Sequence, residues 1–318
     1  MTILLAAVFF KFILMLPITE KVVSKNIGRT IKSPIHLGDL EGLGINQKQF
    51  VKQFSKLFKQ LSWDDYDSRR LRVEFLKEVF PKETKKIDAL FKKYFLGEID
   101  LTAFAEWTTK LTKKQRTKFK KIKPWRRRSV SKFKIKDQGS GYHIERVPVP
   151  KFKQSVKSKD YRSWGRIFDE SPAAHVDNFL FYQFLIKIFK LIKTYEPKVK
   201  SADFTAHFMS VKSTSSKPGD NSPEGAHEDG ATYIVSALVI NRKNVKGGKT
   251  QILEKLNNGK KEIILNHTLQ PGEFAFQADT NEELTFGNDL WHHVTPFSVK
   301  DQSKGKGWRD IIGFDIVI

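Results

Sequence analysis

The sequence predicts an α+β protein, with an N-terminal helical portion followed by a sandwich or jelly-roll core of short strands and packing helices. Three observations predict it. Apolar residues recur at helical spacing from Asn46 to about Lys121. Strand-length runs separated by turn residues fill the stretch 206–318. A long apolar segment at 175–195 carries lysines at regular spacing, as a helix half-buried on a sheet would.

Each element has a local reason. Residues 18–45 contain Gly and Pro without sustained periodicity and read as a connecting segment. Phe50, Phe54, Leu57, Phe58 and Leu61 make the apolar stripe of a first helix. Ser62-Trp63-Asp64-Asp65-Tyr66 breaks it with capping residues, and Arg70 starts a second run that ends before Pro81. Residues 101–107 predict a further helix. After Pro124 the texture alternates, predicting strands at 130–135 and 142–149 with a Gly-containing turn between them. Lys187, Lys190 and Lys193 wet one face of the 175–195 segment, which therefore packs on a sheet and does not span a membrane. Further strands are predicted at 206–211, 233–241, 250–253, 261–265, 273–277, 290–294 and 308–317. Three parts follow: an apolar extension and linker at 1–45, a helical region at 46–123 and a strand-rich core at 124–318.

Composition narrows the chemistry. Apolar residues make up 39% of the 318, including 26 Phe, enough for a sizeable core. There is no Cys, which excludes disulfides, thiolate metal sites, iron–sulfur clusters and Cys nucleophiles. A metal would be held by His, Asp and Glu. The net charge of +22 raises a nucleic-acid partner, yet the lysines are spread along the chain and no nucleic-acid-binding signature is present. The densest basic cluster, 113–136 around Arg126-Arg127-Arg128, keeps that option open. The apolar run 1–17 lacks a basic start and a small-residue cleavage site, and is interrupted by Lys11. It is also short of the roughly 20 residues of a membrane span. A cytoplasmic protein is expected.

The chemistry concentrates in two stretches, His227-Glu228-Asp229-Gly230 and Trp291-His292-His293-Val294-Thr295-Pro296, whose His292 lies 65 residues after His227. On a strand, i and i+2 share a face, so His227 and Asp229 can bind one ion while Glu228 turns away. His292 and His293 compete for the third position, because alternation lets only one face inward. Two histidines and a carboxylate are the ligand set of a non-haem Fe(II) site with open positions for a chelating co-substrate and dioxygen. Zinc suits the same ligands. Arg309, 17 residues after His292, offers a bidentate fork for a carboxylate of a dicarboxylic acid, which zinc hydrolysis does not need and which favours iron.

These blocks resemble a known family. Pro223-Glu224-Gly225-Ala226-His227-Glu228-Asp229-Gly230 is similar to the P-E-G-x-H-x-D-G signature of bacterial 2-oxoglutarate/Fe(II) dioxygenases of the L-isoleucine hydroxylase type. In order along the chain, His207, Gly247-Gly248-Lys249-Thr250, His267-Thr268-Leu269, His292-x-Val-Thr-Pro and Arg309-Asp310 match too. Trp63-Asp64-Asp65-Tyr66, Arg127-Arg128-Ser129 and Phe152-Lys153-Gln154 match upstream, so the likeness covers roughly 50–318. The resemblance implies a double-stranded β-helix, cupin-like core, Fe(II) on His227, Asp229 and His292, and 2-oxoglutarate gripped by Arg309. It further implies dioxygen as oxidant, succinate and CO2 as products, and hydroxylation of a small substrate such as a free L-amino acid. His293 stands where relatives commonly carry Gly, Ala226 where they carry a larger aliphatic residue, and Glu228 where they carry a base.

Other residues carry two readings each. His207 fits a substrate contact or a satisfied core histidine, and His267 a structural role. Thr295 fits a co-substrate contact or a turn before Pro296. Asp279, Glu282 and Glu283 form an acidic loop that could meet an amino group. Arg128 and Arg166 could pair with a substrate carboxylate, or lie at the surface. The same chemistry on a nucleic acid or other macromolecule, and a non-catalytic jelly-roll binding protein, are the alternatives.

Overall fold

The computed structural model describes residues 33–149, 161, 164–279 and 289–318. The apolar run 1–17, Phe152-Lys153-Gln154, Glu282 and Glu283 lie outside the described residues.

Helices begin where short polar side chains meet orphan backbone N–H groups. Helix α1 spans Gln47–Leu57, and the Asn46 side chain accepts from the Gln49 N–H at 2.9 Å. Helix α2 runs Tyr66–Val79 and stops before Pro81, followed by α3 at Thr84–Leu96. The 101–107 run divides into a 3₁₀ turn, Leu101–Phe104, and the short α4, Ala105–Thr108. Helix α5, Lys113–Lys121, opens with a reciprocal cap between Thr112 and Gln115. Val73, Leu76, Ile87, Tyr94, Phe104 and Trp107 from α2 to α4 and the turn before α4 form a core of their own. The stripe of α1 belongs elsewhere: Phe50, Phe54 and Leu57 join the main core.

Strands follow and dominate: β1 Ile35–Asp39, β2 Arg126–Asp137, β3 Tyr142–Val147, β4 Ser201–Thr214, β5 Tyr233–Lys243, β6 Val245–Gly247, β7 Thr250–Lys255, β8 Lys261–His267, β9 Glu273–Ala278, β10 Leu290–Val294, β11 Phe297–Val299 and β12 Lys306–Val317. Between β3 and β4 lie α6, Ala173–Val176, and α7, Phe179–Tyr195. Among the described residues a seven-stranded sheet has the order β1-β9-β5-β12-β4-β2-β3, and a three-stranded sheet the order β10-β7-β8. The named strand pairs are antiparallel.

One finding differs from the sequence reading. Ile35–Asp39, expected to be part of a connector, is an edge strand paired with β9. Its five residues include Gly38 and Asp39, which carry no strand signal, and its partner lies far along the chain.

The large sheet has two unlike faces. Outward, Phe204, Ala206, Phe208, Ile312, Phe314 and Ile316 pack under Phe181, Phe184 and Ile188 of α7 and the α1 stripe. The lysines of α7 stay at the rim, so the amphipathic reading of 175–195 holds. No helix among the described residues is long and apolar enough to cross a membrane. Inward, alternation presents Arg309, Ile311, Gly313 and Asp315 of β12. In register beside them lie Val211, Met209 and His207 of β4, then Arg126 and Arg128 of β2. The small sheet packs on this side through Ile252, Ile264, Leu265 and Leu290 against Ile35.

Candidate metal centre and its cavity

The link between β4 and β5 carries the first two candidate ligands. They do not sit in a strand: His227 forms a single bridge, and Asp229 follows in irregular backbone. Two glycines set the path. Ser222-Pro223-Glu224-Gly225 closes a turn through the Gly225 N–H and Ser222 C=O at 2.9 Å, with Gly225 at φ 80°. Gly230, at φ 81°, then lets three successive N–H groups point one way. Those of Asp229, Gly230 and Ala231 donate to one oxygen of Asp279 at 2.9, 2.7 and 3.0 Å. Asp279 is thus a clamp on the loop. Burial pushes its carboxyl up to about 7 against the pull of His292 and of these donors.

His292 reaches the loop from β10, and His227 and His292 exchange backbone hydrogen bonds at 3.0 Å in both directions. His227 Nδ1 lies 2.9 Å from the Gly225 carbonyl, which requires the proton on Nδ1 and leaves Nε2 as the donor atom. That Nε2 is 3.6 Å from Asp229 Oδ1, and His292 Nε2 is 3.3 Å from Asp229 Oδ2. The three ligand atoms lie within 4.8 Å of one another. His293 faces away, with Nδ1 3.1 Å from Gln251 Oε1.

The electrostatics suit a cation. Burial works against charge on both partners, yet His292 rises to about 9 beside Asp229, and Asp229 is held well below the carboxylate range by His292 and His227. A divalent ion takes the place of that proton, so its binding releases one. The donor set, two imidazoles and a carboxylate on one side of a cavity, fits a non-haem iron.

Arg309 is fully buried on β12. Its Nη1 donates to Asn221 Oδ1 at 3.0 Å, while Nε and Nη2, which share one edge of the guanidinium, have no hydrogen-bond partner among the described residues. Burial, then Arg242, brings Arg309 down to about 9. A bidentate carboxylate satisfies both atoms and the charge.

The cavity beside the three ligand atoms measures about 120 Å³. Of the basic cluster at 113–136, which kept a nucleic-acid partner open, two members turn inward here: Arg126 and Arg128 are 6% and 8% exposed, while the lysines of α5 stay at the surface. Arg126 is bound by Asp64 at 3.0 Å and Asp67 at 2.6 Å. Arg128 and Arg166, left open between site and surface by the sequence, both line the cavity, as does His207. Asn221, Glu224 and Asp315 escaped the sequence reading as site residues; for Glu224 the signal was its place in the P-E-G block. His267 pairs with Glu273 at 3.2 Å away from the cavity, and the Thr295 hydroxyl accepts from the Lys249 N–H at 2.9 Å, a structural role for each.

Antiparallel sheets, a His-Asp-His cluster and a buried arginine fork are the arrangement that a mononuclear metal enzyme with an anionic co-substrate would need. The family model of the 2OG-Fe dioxygenases matches residues 110–315, and the chain belongs to this family. It is a non-haem iron dioxygenase using Fe(II), 2-oxoglutarate and dioxygen. In fold it is similar to a bsmA homolog from Methylobium petroleophilum PM1, with a TM-score of 0.56, 15% identity and coverage of 89% of this chain and 88% of that one. It is similar also to IDO from Bacillus thuringiensis, with a TM-score of 0.52, 14% identity and coverage of 89% of each chain. Among curated proteins no sequence matches the chain.

Proposed function

We propose that the enzyme hydroxylates a free aliphatic L-amino acid, with iron held by His227, Asp229 and His292 and 2-oxoglutarate by Arg309. The observation that carries the reading is the convergence of the three ligand atoms on a cavity of about 120 Å³. Val235, Val294 and Ile311 line that cavity beside its charged groups, a mixture that suits an aliphatic side chain carried on a polar head. Likeness to the L-isoleucine hydroxylase type supports the amino-acid class. The sheet arrangement fits a double-stranded β-helix core over 124–318, to which β1 and α1 add from earlier in the chain, with the rest of the helical region 46–123 beside it.

The bound iron, with 2-oxoglutarate and dioxygen, supplies the oxidation, in which one oxygen atom enters a substrate C–H bond and the other enters succinate as CO2 leaves. The chain's own part is placement. Gly225 fixes the His227 tautomer, Asp279 holds the Asp229 backbone, and β10 aims His292. Arg309 grips the distal carboxylate at the far end of β12, and Asn221 sets its plane. The apolar walls Val235, Val294 and Ile311 exclude water from the reacting carbon.

Anaerobically purified protein incubated with Fe(II), 2-oxoglutarate, oxygen and an amino-acid panel should release succinate faster with aliphatic members than without. Equal succinate with and without every amino acid sinks the reading.

A further inference from the structure

The inner face of the large sheet carries a polar chain that the iron and 2-oxoglutarate do not use. Arg128 Nη2 lies 3.0 Å from His207 Nδ1, and His207 Nε2 lies 2.9 Å from Asp315 Oδ2. A guanidinium has only donors, so Nδ1 must accept. The proton then sits on Nε2 and is donated to Asp315. His207 is a fixed spacer with a cation on one side and an anion on the other. All three line the same cavity as His227, Asp229 and His292.

Resting on the amino-acid reading above, we propose that Arg128 and Asp315 form the subsite for the zwitterionic head of an α-amino acid, Arg128 taking the carboxylate and Asp315 the ammonium. The spacing agrees. Through the imidazole, Arg128 Nη2 and Asp315 Oδ2 stand at most about 8 Å apart. Two hydrogen bonds of about 2.8 Å, with about 3 Å between the charged ends of an amino acid, fill the same gap.

Three further observations support the assignment. Arg128 lies over the Phe168 ring, its Cζ 4.3 Å from the centroid, a contact that holds the guanidinium in place for a carboxylate. Burial, then Arg126 and Arg166, lowers Arg128 to about 10, so an anion there relieves a crowd of cations. On β12, Arg309 and Asp315 share one face six residues apart, about 20 Å, which separates the co-substrate grip from the head group. Between them Gly313 stands opposite His207. A Cβ there would meet its nearest atom, the Val235 carbonyl oxygen, at 3.6 Å, an ordinary contact. The missing side chain therefore leaves space in front of His207.

The test is binding and coupled turnover with L-leucine, L-isoleucine and L-methionine, each alongside its carboxamide and its N-acetyl derivative. Calorimetry uses the anaerobic Fe(II)/2-oxoglutarate enzyme, and succinate release uses the aerated one. The wild type should prefer the free amino acid over either derivative by at least about tenfold, one charge-assisted bond being lost each time. Arg128→Gln should erase the preference over the carboxamide alone, and Asp315→Asn the preference over the N-acetyl form alone. A merely structural role would depress all three ligands together, and that result overturns the subsite. Stimulation of the wild type by all three forms equally leaves the amino-acid reading standing and overturns the subsite. Failure of every amino acid to bind or to stimulate succinate overturns both. If Asp315→Asn does not fold, Gly313→Val serves: it should weaken amino-acid binding at least about tenfold, and unchanged binding overturns the placement.

Discussion

His227 and His292 are the two residues of one antiparallel bridge, each donating its N–H to the other's carbonyl at 3.0 Å, with ring centroids 4.2 Å apart. The bridge is isolated, so the link between β4 and β5 is tied to β10 at the point where the ligand atoms meet. Side chains on either side of His292 point the other way. His227→Ala and His292→Ala should therefore abolish retention of one Fe(II) per chain after anaerobic dialysis, while His293→Ala retains it. Metal analysis reads the result, and loss of iron on His293→Ala would refute the ligand choice.

Asp279 offers a second test. One of its oxygens accepts three backbone N–H groups that flank the Asp229 ligand. Removing it takes the shared acceptor from three donors, that of Ala231 buried, and lets the loop relax. Asp279→Ala should weaken metal affinity about 10- to 100-fold, as loss of a group that orients a ligand does. Asp279→Asn, which keeps an acceptor oxygen, should weaken it less. Titration with Mn(II) followed by magnetic resonance measures both, and an alanine variant within twofold of the wild type speaks against the clamp.

His36 predicts an acid response of the fold. It sits 2% exposed on β1, bonded through Nε2 to the Tyr195 hydroxyl at the end of α7. Burial lowers it to about 4. With the folded pKa below the unfolded value, its contribution is intact above pH 6.5 and is lost as pH falls toward 4, because the unfolded chain takes the proton first. The loss is on the order of 3 kcal/mol. Denaturant unfolding of the wild type and His36→Phe should diverge in pH slope across that window. Parallel slopes would count against it.

His227, Asp229, His292 and Arg309 were legible as candidates because each falls in a short block whose spacing carries chemistry, and the first three do meet. The strand at Leu290–Val294 was legible to the residue, since alternation there is local. What escaped depended on distant partners. Asp315 is an acid inside an apolar strand, and only His207, brought opposite by β4, explains it. Arg126 read as part of a basic cluster, and Arg128 stayed open between site and surface, because Asp64, Asp67 and His207, which partner them, lie 59 to 79 residues away. His227 and Asp229 were expected on a strand. Gly225 and Gly230, both at positive φ, instead make a loop that delivers the same pair to one point, a path that alternation does not describe.

Arg309 gives the sharpest test of the co-substrate site. Its buried Nε and Nη2 edge meets no acceptor among the described residues, so the 2-oxoglutarate carboxylate would be its partner. Breaking a buried charge pair costs on the order of 2–5 kcal/mol, which is a rise in 2-oxoglutarate KM of at least about thirtyfold. Arg309→Met, which fills the volume without the charge, should show that rise. Arg309→Lys should recover part of it, because a point charge lacks the fork. Asn221→Ala should raise KM only a few-fold, since Asn221 orients the guanidinium plane through one bond. The melting temperature supplies an independent readout: 2-oxoglutarate with Mn(II) should stabilise the wild type and not Arg309→Met. Equal stabilisation of both would remove Arg309 from the site.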